Sequence, residues 1–97
     1  MWAAALRIRV RILDTRSLKR KRSVLRPHIE RLKAMMSVSV AEVDQHDAWQ
    51  RATLGVALVA ADRRTLESLM DRATRYFDSQ SDIELIDVAV SYLENPE

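Results

Sequence analysis

Residues 2–13 read WAAALRIRVRIL and alternate without a break. Trp2, Ala4, Leu6, Ile8, Val10 and Ile12 fall on one side, and Arg7, Arg9 and Arg11 on the other. A period of two over this length is that of a β-strand with one face in a core and one face in water. A chain that opens this way must supply a sheet whose buried side the rest of the sequence covers. It must also tolerate an arginine ladder on the open side.

The remaining segments meet that demand in turn. Asp14-Thr15-Arg16-Ser17 is turn-like, and Ser17 can cap a helix. Leu18, Leu25, Ile29, Leu32 and Met36 then recur on one helical stripe, with Pro27 inside the pattern predicting a bend because the stripe continues in phase beyond it. Residues 37–43 are β-branched and short, a second strand. A third runs from about Arg51 to Ala61, with DQHDAWQ as the hairpin connection between them. Asp62 is placed to cap a second helix whose buried stripe is Leu66, Leu69, Met70, Ala73 and Phe77. Residues 79–82 close it. A last strand covers about Ile83 to Leu93, with Ile86, Val88, Val90 and Tyr92 on one face, and Asn95-Pro96 ends the order. The order β-α-β-β-α-β predicts the ferredoxin-like α+β arrangement: a four-stranded antiparallel sheet, strands one and three central, and both helices on one face. At 97 residues the chain holds one such domain, over 1–97, and no linker or low-complexity segment divides it.

Charge is the other constraint. The formal net charge is only +2, yet residues 1–36 carry eleven Lys/Arg against two Asp/Glu, and residues 37–97 carry five against twelve. Such a split predicts either a basic surface that meets an anion or two halves that neutralise each other on folding. Cysteine is absent, which excludes a disulfide framework, thiolate metal sites and a cysteine nucleophile. No apolar run reaches the roughly 18 residues a membrane span needs. The start lacks the leading positive charge of a signal peptide, so a cytoplasmic location with no membrane partner is expected.

Two segments resemble a known family. SLKRKRSVL at 17–25 is similar to its motif Ser-Leu-Lys-x-Lys-Arg followed by apolar residues, and VSVAEVDQHDAWQRATLGVA at 38–57 is similar to its strand–turn–strand block. The family is the YlxP-like proteins, a bacterial domain of unknown function, and the resemblance covers nearly the whole chain. It implies a ferredoxin-like fold, no assigned reaction, and genes often set among those for translation initiation and ribosome maturation factors. The family's turn often reads His-Gln-Asp, where this chain has Gln45-His46-Asp47. A metal ligand rarely tolerates an imidazole displaced by one position.

Three constellations carry the functional expectations. Arg16, Lys19, Arg20, Lys21, Arg22 and Arg26 crowd the start of the first helix, the end where the macrodipole is already positive. No acid stands at the third position after Ser17 to complete a capping box. A helix N-terminus among cations is suited to phosphate, and Lys21 or Arg22 lies close enough to the apolar stripe to lay its stem along it. Arg7, Arg9 and Arg11 form the second group. They can hold phosphates or pair with Asp87 on the neighbouring last strand. Base stacking on that face is not expected, because Thr53, Gly55, Ala57, Val59 and Ala61 replace the aromatic motif of RNA-recognition domains. The third group is Asp44, His46 and Asp47, weak candidates for a metal site. Their spacing serves turn hydrogen bonds better than three-point coordination, with Trp49 expected to cover the strand pair or the core end. Gly55 is expected to admit a bulge or a close neighbour.

The sequence therefore predicts a non-catalytic accessory protein without a cofactor, associated with RNA or the ribosome through its basic helix start. The alternative is a homodimeric or small-ligand-sensing module using the open sheet face. A metal-dependent hydrolase centred on Asp44, His46 and Asp47 is the third reading.

Overall fold

The computed structural model describes residues 1–93; the Asn95-Pro96 stop lies outside them. Six elements follow in order: β1 (Trp2–Ile12), α1 (Leu18–Met36), β2 (Ser39–Asp44), β3 (Arg51–Ala60), α2 (Arg63–Asp78) and β4 (Ile83–Tyr92). All pairings are antiparallel and the sheet order is β2-β3-β1-β4, so β1 and β3 are central and the fold is the ferredoxin-like α+β arrangement.

Alternation in β1 becomes burial directly. Leu6, Ile8, Val10 and Ile12 are buried, while Arg7, Arg9 and Arg11 are exposed. Opposite them on β3, Leu54, Val56 and Leu58 face the same way and are buried. Leu25, Leu32 and Met36 of α1 and Leu66, Ala73 and Phe77 of α2 close over these side chains in a single core. Each large apolar side chain so enclosed contributes roughly 1.5–3 kcal/mol relative to exposure.

Both helix starts are capped as their sequences predict. Ser17 Oγ accepts from Arg20 N at 3.0 Å, and Asp62 Oδ1 accepts from Thr65 N at 2.8 Å. At its other end α1 stops where Ser37 turns into the left-handed region (φ 52°) and donates its N–H to Lys33 O. Thus β2 begins at Ser39, two residues later than the sequence pattern places it. α1 is continuous through Pro27.

Two irregularities in the sheet decide which side chains share a face. Between Arg9 and Val10 of β1 the pairing with β4 shifts, so Arg9 lies opposite Asp87 and Val10 opposite Leu85. Ile86 is the extra residue. This corrects the expectation that Ile86 shares a face with Val88: Ile86 is exposed, and Leu85 and Val88 pack against the core. The bulge also brings Asp87 and Glu84, three residues apart, onto one face, where they pair with Arg9 and Arg11. A second shift lies between Glu42 and Asp44 of β2, with Val43 as the extra residue. A Cβ on Gly55 would stand 2.9 Å from Val43 Cγ1, so this glycine admits the close neighbour expected of it. Thr53, expected to face outward in the open, is buried, and its hydroxyl donates to Gln45 Oε1 at 3.0 Å.

A polar group inside the helix layer was not foreseen. His28 of α1 is buried, with Nδ1 2.8 Å from Tyr76 Oη and Nε2 2.8 Å from Asp82 Oδ1. Arg31 donates to the same Tyr76 hydroxyl at 3.1 Å. The Asp82 carboxylate can only accept, so the His28 Nε2 facing it carries a proton. Burial, the largest influence, raises the Tyr76 pKa, so the hydroxyl keeps its proton. One side chain of α1 thereby joins α2 to the turn before β4.

Candidate nucleic-acid interface

The basic group at the start of α1 divides in two. Arg16, Lys19, Arg20, Arg22 and Arg26 are exposed. Lys21 is not: its side chain is 1% exposed, and it leaves the set of phosphate candidates. Its Nζ lies 2.8 Å from Glu42 Oε2, 2.9 Å from Gln45 O, 3.2 Å from Arg51 O and 3.4 Å from His46 O. The ammonium therefore closes the β2–β3 hairpin, taking a carboxylate at one side and loop carbonyls at the other. A charge with this little exposure needs such a full set of partners.

The reason is positional. Leu18, Lys21, Leu25, His28, Leu32 and Met36 follow one another at steps of three and four, so Lys21 and His28 lie in phase with the apolar stripe. On β2, Val40 and Glu42 alternate toward the helix side, opposite Val56 and Leu54. A lysine in the apolar phase of a helix meets a glutamate in the apolar phase of a strand. That pair of out-of-place charges was the signal available in the sequence. The seven-residue gap between Leu18 and Leu25 obscured it.

Arg16 stands just before the N-cap and the other four exposed cations stand on α1, a helix with no acid in its first turn. Among the described residues none of them forms an ion pair. Lys19, Arg22 and Arg26, at helical spacing, line a shallow groove of about 360 Å³ with Ser23, Pro27 and Glu30. At 1.5 Å rise per residue, Lys19 to Arg26 spans about 10 Å along the axis.

The arginine ladder of β1 is a different case. Arg9 forms a forked pair with Asp87, and Arg11 Nε is 3.2 Å from Glu84 Oε1. The Asp87 carboxyl is held below the usual carboxylate range, first by its hydrogen bonds to Arg9 and then by the charges of Arg9 and Arg7. Its partner Arg9 is correspondingly raised by the same bonds. As phosphate ligands Arg9 and Arg11 are already engaged, and only Arg7 of the three makes no ion pair among the described residues.

Asp44, His46 and Asp47 are not brought together as metal ligands. Asp44 Oδ1 accepts from Gln45 N at 2.7 Å, and His46 Nε2 lies 3.1 Å from Glu42 O. Among the described residues no three His, Cys, Asp or Glu side chains are disposed to hold an ion. The loop is instead fixed by its backbone: Gln45 sits in the left-handed region (φ 60°), Ala48 N donates to Gln45 O at 3.1 Å, and Ile12 N donates to Gln50 O at 2.8 Å. Trp49 does not cover the strand pair. It is 53% exposed and borders a concavity of about 440 Å³ with Asp47, Ala48, Gln50 and Arg51. Among the described residues, no helix is long and apolar enough to cross a membrane.

Fold and surface together define a small ferredoxin-like α+β protein with a basic helix face and a lysine-closed hairpin. The chain belongs to the family described as "Protein of unknown function (DUF503)", which it matches over residues 3–90. It is similar to "Uncharacterized protein YlxP" of Bacillus subtilis (strain 168), with 37% identity over 73 residues, covering 75% of this chain and 79% of that relative.

Proposed function

We propose that the protein is a non-catalytic RNA-binding accessory factor whose phosphate ligands are Arg16, Lys19, Arg20, Arg22 and Arg26. The observation that carries this reading is the contrast in ion pairing across the basic half. Arg9, Arg11 and Lys21 each have an acid partner, and the five exposed cations of the α1 start have none among the described residues. Lys19 and Arg20 stand in the first turn, where the macrodipole makes a further cation unfavourable by a few tenths of a kcal/mol, and a bound polyanion reverses that sign. Ribosomal RNA is the first polyanion to test, since the gene setting implied by the family resemblance points to ribosome maturation.

The test is fluorescence anisotropy with a labelled single-stranded RNA over a range of salt. Five neutralised phosphates correspond to a log–log slope of about −3.5, at about −0.7 per phosphate. The triple variant Lys19→Gln/Arg22→Gln/Arg26→Gln should bring it to about −1.4 by the same relation. Binding that is absent, indifferent to salt, or unaltered in the triple variant overturns the proposal.

A second reading is favoured by the other half of the open sheet face. Val43 and Val59 are exposed there, and Val43, Ala5, Ala41, Gly55 and Ala57 border an apolar concavity of about 280 Å³. A second copy of the chain would cover such a surface. A monomer mass by light scattering at high concentration removes this reading.

A further inference from the structure

We infer that Trp49 is a base-stacking platform and that the RNA taken by the basic face of α1 is single-stranded at this point; the inference rests on the proposed function above. Tryptophan is highly buried on average, yet the Trp49 side chain stands half in solvent. The loop that carries it is far from loose. The Lys21 ammonium binds its carbonyls at Gln45, His46 and Arg51. Asp44 caps Gln45 N, the Gln45 side chain takes the Thr53 hydroxyl, and Ile12 N holds Gln50 O. An indole projected from so constrained a turn gains nothing in core packing. It is preordered for a flat partner, as Trp is where a large contact area is needed at small entropic loss.

Position ties this indole to the cations. Lys21 lies in the first turns of α1, between Arg20 and Arg22, and its side chain reaches the loop directly. The Trp49 loop and the start of the basic face therefore occupy one end of the molecule. Arg51 closes the concavity on the β3 side and lies across from Arg11 in the sheet register. Asp47 stands on the same rim and offsets the charge of Arg51, so the concavity is not a cationic phosphate pocket and suits the uncharged face of a base. A cationic track beside an exposed aromatic is the arrangement by which proteins hold unpaired strands: charge follows the backbone, and the ring takes a base. Bases in a duplex are already stacked and do not offer a face to it. The open sheet, lacking aromatic side chains at Arg7, Gly55, Ala57 and Val59, cannot supply this contact.

The experiment uses the full chain and a labelled 12-nucleotide single strand, about the length one small binding domain covers, alongside a blunt duplex of the same sequence. Trp49→Ala should weaken single-strand binding about 5- to 150-fold, the value of one stacked base, and leave the salt slope unchanged. Trp49→Phe, which keeps a ring, should restore most of the loss. In a Trp2→Phe background, where Trp49 is the sole indole, the single strand should quench fluorescence saturably and the duplex should not. Salt-dependent binding that Trp49→Ala leaves untouched, or a duplex bound as tightly as the single strand, overturns this inference and spares the basic face. Loss of salt-dependent binding in the wild-type chain overturns both.

Discussion

Replacing Lys21 by methionine keeps the aliphatic stem in the core and removes only the ammonium. The structure sets the size of the effect. Without the charge, Glu42 loses its partner while its side chain remains only 19% exposed. Three loop carbonyls, at Gln45, His46 and Arg51, lose a donor at the same time. Deleting one member of a buried pair typically costs about 3–5 kcal/mol. The residual exposure of Glu42 and the ability of an outer loop to rehydrate place Lys21→Met near the lower figure, about 3 kcal/mol. That is a large part of the roughly 5–15 kcal/mol that holds a domain of this size. In urea, with a slope of about 1–3 kcal/mol per molar, the midpoint should fall by about 1–3 M.

Two further measurements distinguish a buried clamp from a surface ion pair. Lys21→Met/Glu42→Gln removes the stranded carboxylate and should recover part of the loss, so the two changes are non-additive. Hydrogen exchange should accelerate at Ala48, whose N–H is bonded within the loop, and remain slow at β1 and β3. A Lys21→Met loss below about 1 kcal/mol, the range of exposed ion pairs, with Ala48 exchange unchanged, refutes the view that the ammonium closes the hairpin.

Other perturbations test other contacts. Ser37→Gly places glycine in the left-handed position that ends α1 and should raise stability by about 0.5–1 kcal/mol, read as a higher urea midpoint. His28→Ala removes two hydrogen bonds and opens a cavity between the helices; a loss of about 2–4 kcal/mol is expected, with the proton on Nε2 visible by nitrogen NMR in the wild type. Asp62 and Asp87 both have lowered pKa values, Asp62 chiefly through the Thr65 N–H and Asp87 chiefly through Arg9. The folded state therefore favours their charged forms. The stability they contribute is complete above their unfolded pKa, near 4, and is lost as pH falls through the lower folded values. Urea midpoints should decline below about pH 4, and Asp62→Asn with Asp87→Asn should flatten that decline.

The sequence was most informative where one period governed a whole element. Eleven residues of β1, the caps at Ser17 and Asp62, and the stripe Leu66–Phe77 all matched, because each rule acts locally and nothing in the tertiary structure opposed it. It was least informative where two elements had to be read together. Ile86 was misplaced because a bulge changes parity only in relation to its partner strand, and β1 gives no warning of it. Lys21 was placed beside the apolar stripe, but its ammonium was assigned to phosphate because charge type outweighed phase. Its phase acquires meaning only when Glu42, twenty-one residues later, is seen to share the same fault. His28 escaped notice for the same reason, its partners lying on α2 and in the following turn. The exposed cations of the candidate site were legible as residue types. Which of them stay unpaired depended on the pairing of β1 with β4 and of α1 with β2.

That dependence explains why the charge split resolves unevenly. Among the described residues only three of the eleven cations of residues 1–36 pair with acids of the second segment, and topology decides which three. β4 lies beside β1, so Asp87 and Glu84 reach Arg9 and Arg11. β2 lies under α1, so Glu42 reaches Lys21. Two of the three acids of α2 are spent within their own helix, Glu67 on Arg63 and Asp71 on Arg75 at i,i+4 spacing, and the third, Asp78, stands at its C-terminal end. Nothing acidic from α2 pairs with the outer turns of α1, where Arg16, Lys19, Arg20, Arg22 and Arg26 stand. Their exposure is thus a product of strand order rather than of composition. Moving an acid to that surface provides a direct check: Ser23→Glu, between Lys19, Arg22 and Arg26 in the shallow groove, supplies the missing counter-charge. It should leave stability within about 0.5 kcal/mol, as surface changes do. RNA affinity should fall as it does in the triple glutamine variant. Full binding by a stable Ser23→Glu protein would mean that the α1 groove is not where phosphate is held.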